Sequence, residues 1–468
     1  MLPLVDLTAL SSTCSHLRRL LAPYFLKHLR LGSSDNESAS LQKAVAFTRR
    51  ELFRNNVTTL MMGDPTQELF QSSSIAYSVP NPTPAIALIL DSVGDMPLLR
   101  TLALFYMRLS VAQLLFIIHG SPIVNLELHG VKVSETKSSK FSFNELQRRL
   151  TQKANKTTIR KLSLDRIGDW YTVQSVATEV KSSLRHLELR SCEEAFISQG
   201  VLPRLSAVDT LVYDSGDTLV ESRLELGTLL RSIPAVVTLQ LSGRSMRSIE
   251  NTTLPPTLRH LSMDYIILRD NVAESFAAQR RAEEPELPSL TSLTLLKCHD
   301  FPDLLDAVPI IRSTLPLLSS ITLEIDWEQR GLALLLGRIF PSVREVHLVI
   351  HTKTPLVQDW NEYTPAALLS VVGTSVLTHV DRLFIEVIQE RWDINASVHA
   401  LMNWCTSVVE MDVDVDTLDG ISLQEIEASV LCKGDGWRTL DSKVRMLMKL
   451  KDDGQWSYDF GYFDASSA

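Results

Sequence analysis

LRHLELRSC, residues Leu184 to Cys192, is the stretch on which the reading of this chain turns. The same form returns with other polar letters as LRTLAL (Leu99 to Leu104), IRKLSL (Ile159 to Leu164), LRHLSM (Leu258 to Met263) and LTSLTL (Leu290 to Leu295). Each runs apolar, two variable, apolar, one variable, apolar. The last two apolar positions are two residues apart, so in a strand they point to one face and the residue between them to the other. Leu187 and Leu189 are therefore expected inside, with Glu188 exposed between them.

A strand-bearing unit of this form, repeated at intervals, is half of a leucine-rich repeat. Strand centres fall at Leu102, Leu126, Leu162, Leu187, Leu211, Leu239, Leu261, Leu293, Ile321, Val346, Leu383 and Met411. Their spacing runs from 22 residues (Leu239 to Leu261) to 37 (Val346 to Leu383), too uneven for one strict repeat family. Between them lie runs with one apolar side, as a covering helix needs: VAQLLFIIHG, FNELQRRLTQ, ESRLELGTLLRSI and PAALLSVVG. Prolines at 97, 203, 288, 316 and 341 sit just ahead of strands, where they stop a preceding helix. The expected fold is an α/β irregular leucine-rich-repeat solenoid. Its curved parallel sheet would lie on the concave side and helices on the convex side, with helical N- and C-terminal caps. The chain divides into residues 1–31, a helical segment; 32–96, a linker and first divergent repeat; 97–416, the repeat array; and 417–468, a C-terminal cap and tail. SLQEIEASVL and TLDSKVRMLMKLK read as the two closing helices.

At 468 residues the chain exceeds one ordinary compact core, and a repeat array escapes that limit because each unit packs only on its neighbours. The net charge of −9 and pI near 5.7 argue against nucleic acid as a partner. Five cysteines without a CxxC pair indicate a reducing compartment. MLPLVDLTALSSTC lacks the basic start and long apolar run of a signal peptide, and no stretch reaches the roughly 18 apolar residues of a membrane span. A cytoplasmic or nuclear protein that does not engage a membrane is expected.

Phosphate loops, zincin and nucleophile-elbow motifs and zinc-type Cys/His spacings are absent, so no enzyme activity, metal or cofactor is expected. Cys192 and Cys298 follow strands, where a small side chain packs under the turn, so they read as structural. His186, His260 and His347 fall at outward strand positions, as does His129. They are too scattered for a shared metal. The functional candidates are the outward residues of the sheet. Early in the array these include Lys161, Asp165, His186, Glu188 and Arg190. Later they are Glu324, Glu345, Glu386, Glu410, Asp412 and Asp414, with Arg382 the main exception. An outward row that turns acidic toward the C-terminus would sum its fields and attract a basic protein patch; a merely solubilising surface is the other reading.

Residues 3–28 carry apolar residues at helical spacing up to Pro23. Asp6, Leu7, Leu10, Ser11, Cys14, Arg18 and Leu20 fit the D-L-x-x-L-S-x-x-C-x-x-x-R-x-L pattern that closes an F-box, and APYFLKHLRL is similar to the aromatic exit that follows it. With the repeats behind it, the chain resembles fungal-type F-box/leucine-rich-repeat proteins. The match covers the second half of the motif only, since Met1, Leu2 and Pro3 come too late to contain the opening helix. The resemblance implies a substrate-recognition subunit of an SCF-type cullin-RING ubiquitin ligase. Leu4, Leu7, Leu10 and Leu17 would meet a Skp-type adaptor, and the array would select a protein substrate. The alternatives are a leucine-rich-repeat interaction scaffold without a ubiquitin role, whose first 28 residues are an apolar cap on the first repeat, and an enzyme with an unrecognised site.

Overall fold

The computed structural model describes residues 27–31, 42, 45, 49, 51–63, 80–134, 157–192, 202–214, 226–242, 254–264, 290–296, 317–326, 342–352, 380–390, 425–433, 442–450 and 456–464. They fall into two compact units, Met1–Val236 and Val237–Ala468.

In the first unit, seven parallel strands stand side by side in chain order. They are β1 (His28–Leu31), β2 (Thr59–Met62), β3 (Thr101–Phe105), β5 (Asn125–His129), β7 (Lys161–Asp165), β8 (His186–Arg190) and β9 (Thr210–Asp214). A second parallel ladder joins β4 (Arg108–Ser110) to β6 (Lys132–Ser134). In the second unit β10 (Thr238–Ser242), β11 (His260–Asp264), β12 (Ser292–Leu296), β13 (Ser320–Asp326), β14 (Glu345–Thr352), β15 (Arg382–Glu390) and β16 (Glu425–Lys433) continue the same plan. One strand per repeat in a parallel ladder is a leucine-rich-repeat solenoid of α/β class. The ladder begins at β1, ahead of position 97 where the sequence repeats become clear.

The expected strand centres from Leu102 to Leu383 occupy one register position. Leu60, Leu102, Leu126, Leu162, Leu187 and Leu211 align in the first unit, and Leu239, Leu261, Leu293, Ile321, Val346 and Leu383 in the second. All are buried, as are their partners two residues on, from Met62 to Tyr213 and from Leu241 to Leu348. The apolar residue three places before each centre is also buried, as at Leu99, Ile123, Ile159, Leu184, Leu258 and Leu290. The three apolar positions of the motif thus make one core layer each.

Successive repeats are joined by a recurrent backbone contact. The carbonyl of the residue before each strand takes two N–H groups from the next repeat. Val124 O accepts from Arg160 and Lys161 at 2.8 and 3.1 Å, and Arg160 O from Arg185 and His186 at 2.8 and 2.9 Å. In the second unit Thr291 O accepts from Ser319 and Ser320 at 2.9 and 3.0 Å. Hydroxyls reinforce the join: Thr158, Ser183 and Ser342 donate to the carbonyls of Ile123, Ile159 and Leu318 at 2.6, 2.7 and 2.8 Å. At the other end of the strands Tyr106, Gly130, Arg166 and Ser191 all adopt positive φ, between 47 and 58°. Their N–H groups reach the next strand, to His129, Asp165, Arg190 and Asp214 O at 2.7 to 2.8 Å. A backbone turned to left-handed φ aims its N–H at the neighbouring repeat, so the ladder continues past the last strand residue.

The first unit carries α1 (Pro84–Leu90), α2 (Val111–Gly120), α3 (Trp170–Val180) and α4 (Leu226–Ser232). Two of the expected helical runs are therefore helical wholly or in part. FNELQRRLTQ and PAALLSVVG lie outside the described residues. Ser110 and Gln113 form a reciprocal capping box on α2. Asp169 caps α3, accepting from Thr172 N at 2.8 Å, and Thr172 Oγ1 in turn accepts from Val133 N at 2.8 Å, tying the helix to β6. His119 of α2 meets Glu179 of α3 at 2.8 Å.

The helical C-terminal cap is not what forms. SLQEIEASVL and TLDSKVRMLMKLK supply strands, β16 and β17 (Ser442–Leu450), and β18 (Trp456–Asp464) follows; β17 and β18 are antiparallel to their neighbours. Their apolar period is two. Ile426, Ala428 and Val430 alternate with Glu425, Glu427 and Ser429, and Val444, Met446, Met448 and Leu450 with Lys443, Arg445 and Lys449, the interruptions being Leu431 and Leu447. A helical reading of those runs counted apolar residues and overlooked their alternation.

Leu187, 1% exposed, touches core on both sides of its rung. Leu187→Ala is expected to lower unfolding free energy by about 2–5 kcal/mol, measured by chemical denaturation; a loss well below that range would show that the layer collapses around the cavity.

Candidate protein-recognition surface

The residues between the core positions face the opposite side of the sheet. In the first unit, parallel register sets them out as three rows across β3, β5, β7, β8 and β9. Thr101, Asn125, Lys161, His186 and Thr210 form one row. Ala103, Glu127, Ser163, Glu188 and Val212 form the middle row, and Phe105, His129, Asp165, Arg190 and Asp214 the third. Strands about 4.8 Å apart bring side chains of one row within ion-pair reach.

Glu188 is the hub. It was expected to stand exposed, but only 6% of it is accessible. The register expectation holds, because Leu187 and Leu189 are the core residues. What covers Glu188 is its own surroundings: Lys161 Nζ at 3.5 Å, the Arg190 guanidinium in direct ion-pair contact, and a hydrogen bond from Ser163. Burial alone would raise its pKa. Arg190, Lys161 and Ser163 outweigh burial and hold the carboxyl below its ordinary value. Arg190, as expected, is exposed. His186, beside Lys161, is held below the ordinary imidazole value by burial and then by the Lys161 charge.

His129 is the second centre, two strands away on β5. Its ring stacks on Phe105, with centroids 4.5 Å apart and planes 9° from parallel. Nδ1 lies 3.1 Å from Asp165 Oδ2, a hydrogen bond across strands, and Nε2 lies 3.8 Å from Glu127 Oε2, an ion-pair distance. Burial opposes the charged form, yet the two carboxylates prevail and carry the pKa up to about 9. Beside it Tyr106 packs against Gly130, where a Cβ would come 2.4 Å from the ring, and Arg166 donates to the Tyr106 hydroxyl at 3.1 Å. Below the surface Cys192 is fully buried, its thiol donating to Leu164 O and Arg190 O at 3.2 and 3.1 Å. Burial pushes that thiol up to about 12, which leaves it protonated and structural.

Among the described residues of the second unit, the acids expected to form one row have neighbours of other kinds. Glu324 is 6% exposed and pairs with His351 on β14. Glu345 lies 3.8 Å from Arg382 and accepts from Ser320 at 3.4 Å. Glu386 is half-buried and shares the face with Phe384, Val349 and Ile388, of which Val349 and Ile388 are buried. His347 meets Phe384 edge-on, 5.9 Å between centroids. Imidazole, guanidinium and apolar side chains thus separate the described carboxylates. The strand that follows β15 is also different. Both edges of β15 are taken, by β14 and β16, and Leu383 aligns with Ile426 rather than with Met411. The alternation in VVEMDVDV suggested otherwise, but β16 pairs with all nine residues of β15. Glu410, Asp412 and Asp414, like Leu4, Leu7, Leu10, Leu17 and Cys298, lie outside the described residues.

Sequence reading placed His129, Lys161 and Asp165 on the outward face without seeing the clusters they form, and it did not single out Phe105, Tyr106 or Arg166. Aligning the strand centres would have found the row neighbours; the rotamers that close each ion pair carry no sequence signal.

Among the described residues no group of three or more His, Cys, Asp or Glu side chains could hold a metal ion, and no helix is long and apolar enough to cross a membrane. No family model matches the chain, and no curated protein matches it. Among solved structures it is similar to the TLR13–ssRNA13 complex at 13% identity and a TM-score of 0.26. That likeness covers 78% of this chain and 51% of the other, so the chain spans about half the length of the structure it matches.

The His129 cluster makes stability depend on pH. Its folded-state pKa of about 9 lies above the ordinary 6.5, so the folded chain holds that proton more tightly. The stabilisation is complete below pH 6.5 and is lost as pH rises through 9. Urea denaturation across that range should show stability declining toward alkaline pH, and His129→Gln should flatten the decline; an unchanged slope in the variant would assign it to other groups.

Proposed function

We propose that this chain is a recognition subunit that does no chemistry of its own. Its repeat array captures a protein, and residues 3–28 dock the array on a Skp-type adaptor of a cullin-RING ubiquitin ligase. The array would hold its substrate near a charged ubiquitin-conjugating enzyme, so that proximity supplies the rate. The observation that carries the recognition half is the outward grid of the first unit. Lys161, Glu188 and Arg190, and Glu127, His129 and Asp165, are locked by each other before any partner arrives. A surface ordered in advance loses little side-chain entropy on binding. Its charges alternate in sign along the row His129, Asp165, Arg190, Asp214. That suits a partner surface of mixed charge better than the uniformly basic one expected from sequence. Tyr, Phe and Arg, here Phe105, Tyr106, Arg166 and Arg190, are the residue types that anchor such contacts.

The ubiquitin half rests on the F-box-like pattern of Asp6, Leu7, Leu10, Ser11, Cys14, Arg18 and Leu20. A scaffold without a ubiquitin role is the second reading, and the same outward grid favours it equally. Co-purification with a Skp-type adaptor separates the two. The adaptor should be retained by the chain and lost with the double variant Leu7→Asp, Leu10→Asp, while circular dichroism of the array stays unchanged. An adaptor that fails to bind the unaltered chain leaves the scaffold reading alone.

A further inference from the structure

Strand β18, Trp456–Asp464, ends the second unit's sheet, with one edge that no other described strand pairs. Among the described residues it is hydrogen-bonded to β17 alone, antiparallel over all nine residues, from Ser442↔Asp464 to Leu450↔Trp456. Edge strands are normally kept short, charged with lysine, broken by proline or bulged, because an unpaired row of N–H and C=O groups templates another strand. The first strand of the other unit follows that habit: β1 has four residues, and His28 and Arg30 are exposed on it. β18 does not. WSYDFGYFD is nine residues long and contains no Lys, Arg or Pro, and its register with β17 is unbroken by a bulge.

We propose that β18 pairs with β18 of a second copy of this chain, antiparallel about a two-fold axis at Phe460. The sequence is self-complementary in that register. Tyr458 falls opposite the partner's Tyr462, and Phe460 opposite the partner's Phe460, on the face that register gives to Met446 and Met448 of β17. On the other face Asp459 falls opposite the partner's Gly461, and Ser457 opposite the partner's Phe463. The remaining acid, Asp464, falls opposite the partner's Trp456. No two like charges meet. Aromatic cross-strand pairs stabilise a sheet and like-charge pairs weaken it. A two-fold edge pairing closes on itself, so it yields a dimer and no fibre.

Gly461 gives a test that spares the fold. It lies opposite Arg445 of β17 within one chain and opposite Asp459 across the axis. Gly461→Asp therefore adds an attractive pair inside each chain and two repulsive pairs between chains. Gly461→Lys does the reverse in both places. Sedimentation velocity of the full chain over a concentration series should show a dimer. Gly461→Asp should weaken its dissociation constant about tenfold or more, with thermal midpoint unchanged or raised. Gly461→Lys should leave the dimer intact or tighten it. A chain that stays monomeric throughout overturns the proposal, as does a dimer indifferent to Gly461→Asp. A monomer that binds an extended segment of another protein along β18 would assign the edge to a different occupant.

Discussion

Every inner strand of the parallel ladder needs partners for both edges, and the chain cannot supply them locally. Antiparallel neighbours can be joined by a two-residue turn, whereas parallel ones require a crossover of a dozen residues or more. The chain meets that requirement with a join repeated at each strand start, where one carbonyl takes two N–H groups from the next repeat. Thr158, Ser183 and Ser342 add a hydroxyl at the same level. The connection between these joins can be of almost any length. Leu239 and Leu261 sit side by side across a short connection, and Leu383 and Ile426 across a long one, in the same register. An irregular repeat is therefore compatible with a regular sheet, because the fixed element is the join and its three core positions.

The same ladder builds the outward surface. Because parallel strands keep residues in rank, Lys161 is delivered beside Glu188, and His129 beside Asp165, without any local sequence relationship. Each pair sits partly shielded, where an ion pair survives salt better than one in open solvent. Glu188 is buried, yet it lies on the side of the sheet away from the core. Such a carboxylate is retained only while its cations are present, since a lone buried charge costs several kcal/mol. Recognition and stability consequently share residues here: the groups that would meet a partner also staple one repeat to the next.

The two ends of the architecture are handled differently. In the first unit helices α2 and α3 cover the repeats, fixed by Ser110 and Asp169 at their starts. In the second, the described residues are strands that lengthen from five in β10 to nine in β15, and the last two turn antiparallel. A longer strand offers more rungs, and antiparallel hairpins need no crossover, so the sheet is finished by strands stacked on its own final edge.

What the sequence determined by itself was the facing set by alternation along each repeat strand. The pattern of apolar, two, apolar, one, apolar specified which side of each strand is core, from Leu102 to Leu383, since a slip of one residue would turn every leucine outward. It also placed helices at Val111–Gly120 and, in part, at Leu226–Ser232, from their one-sided apolar runs. Three things belonged to tertiary structure alone. Glu188 became buried because Lys161 and Arg190 close over it, and Lys161 arrives from a different repeat. Glu324 became paired because His351 came to lie beside it from the next strand. The neighbour of β15 was Glu425–Lys433, which pairs with it over all nine residues across a long connection. Alternation is a property of a few adjacent residues and can be read off the chain. Pairing across repeats is a property of which distant segments win contact, and only the folded molecule decides it.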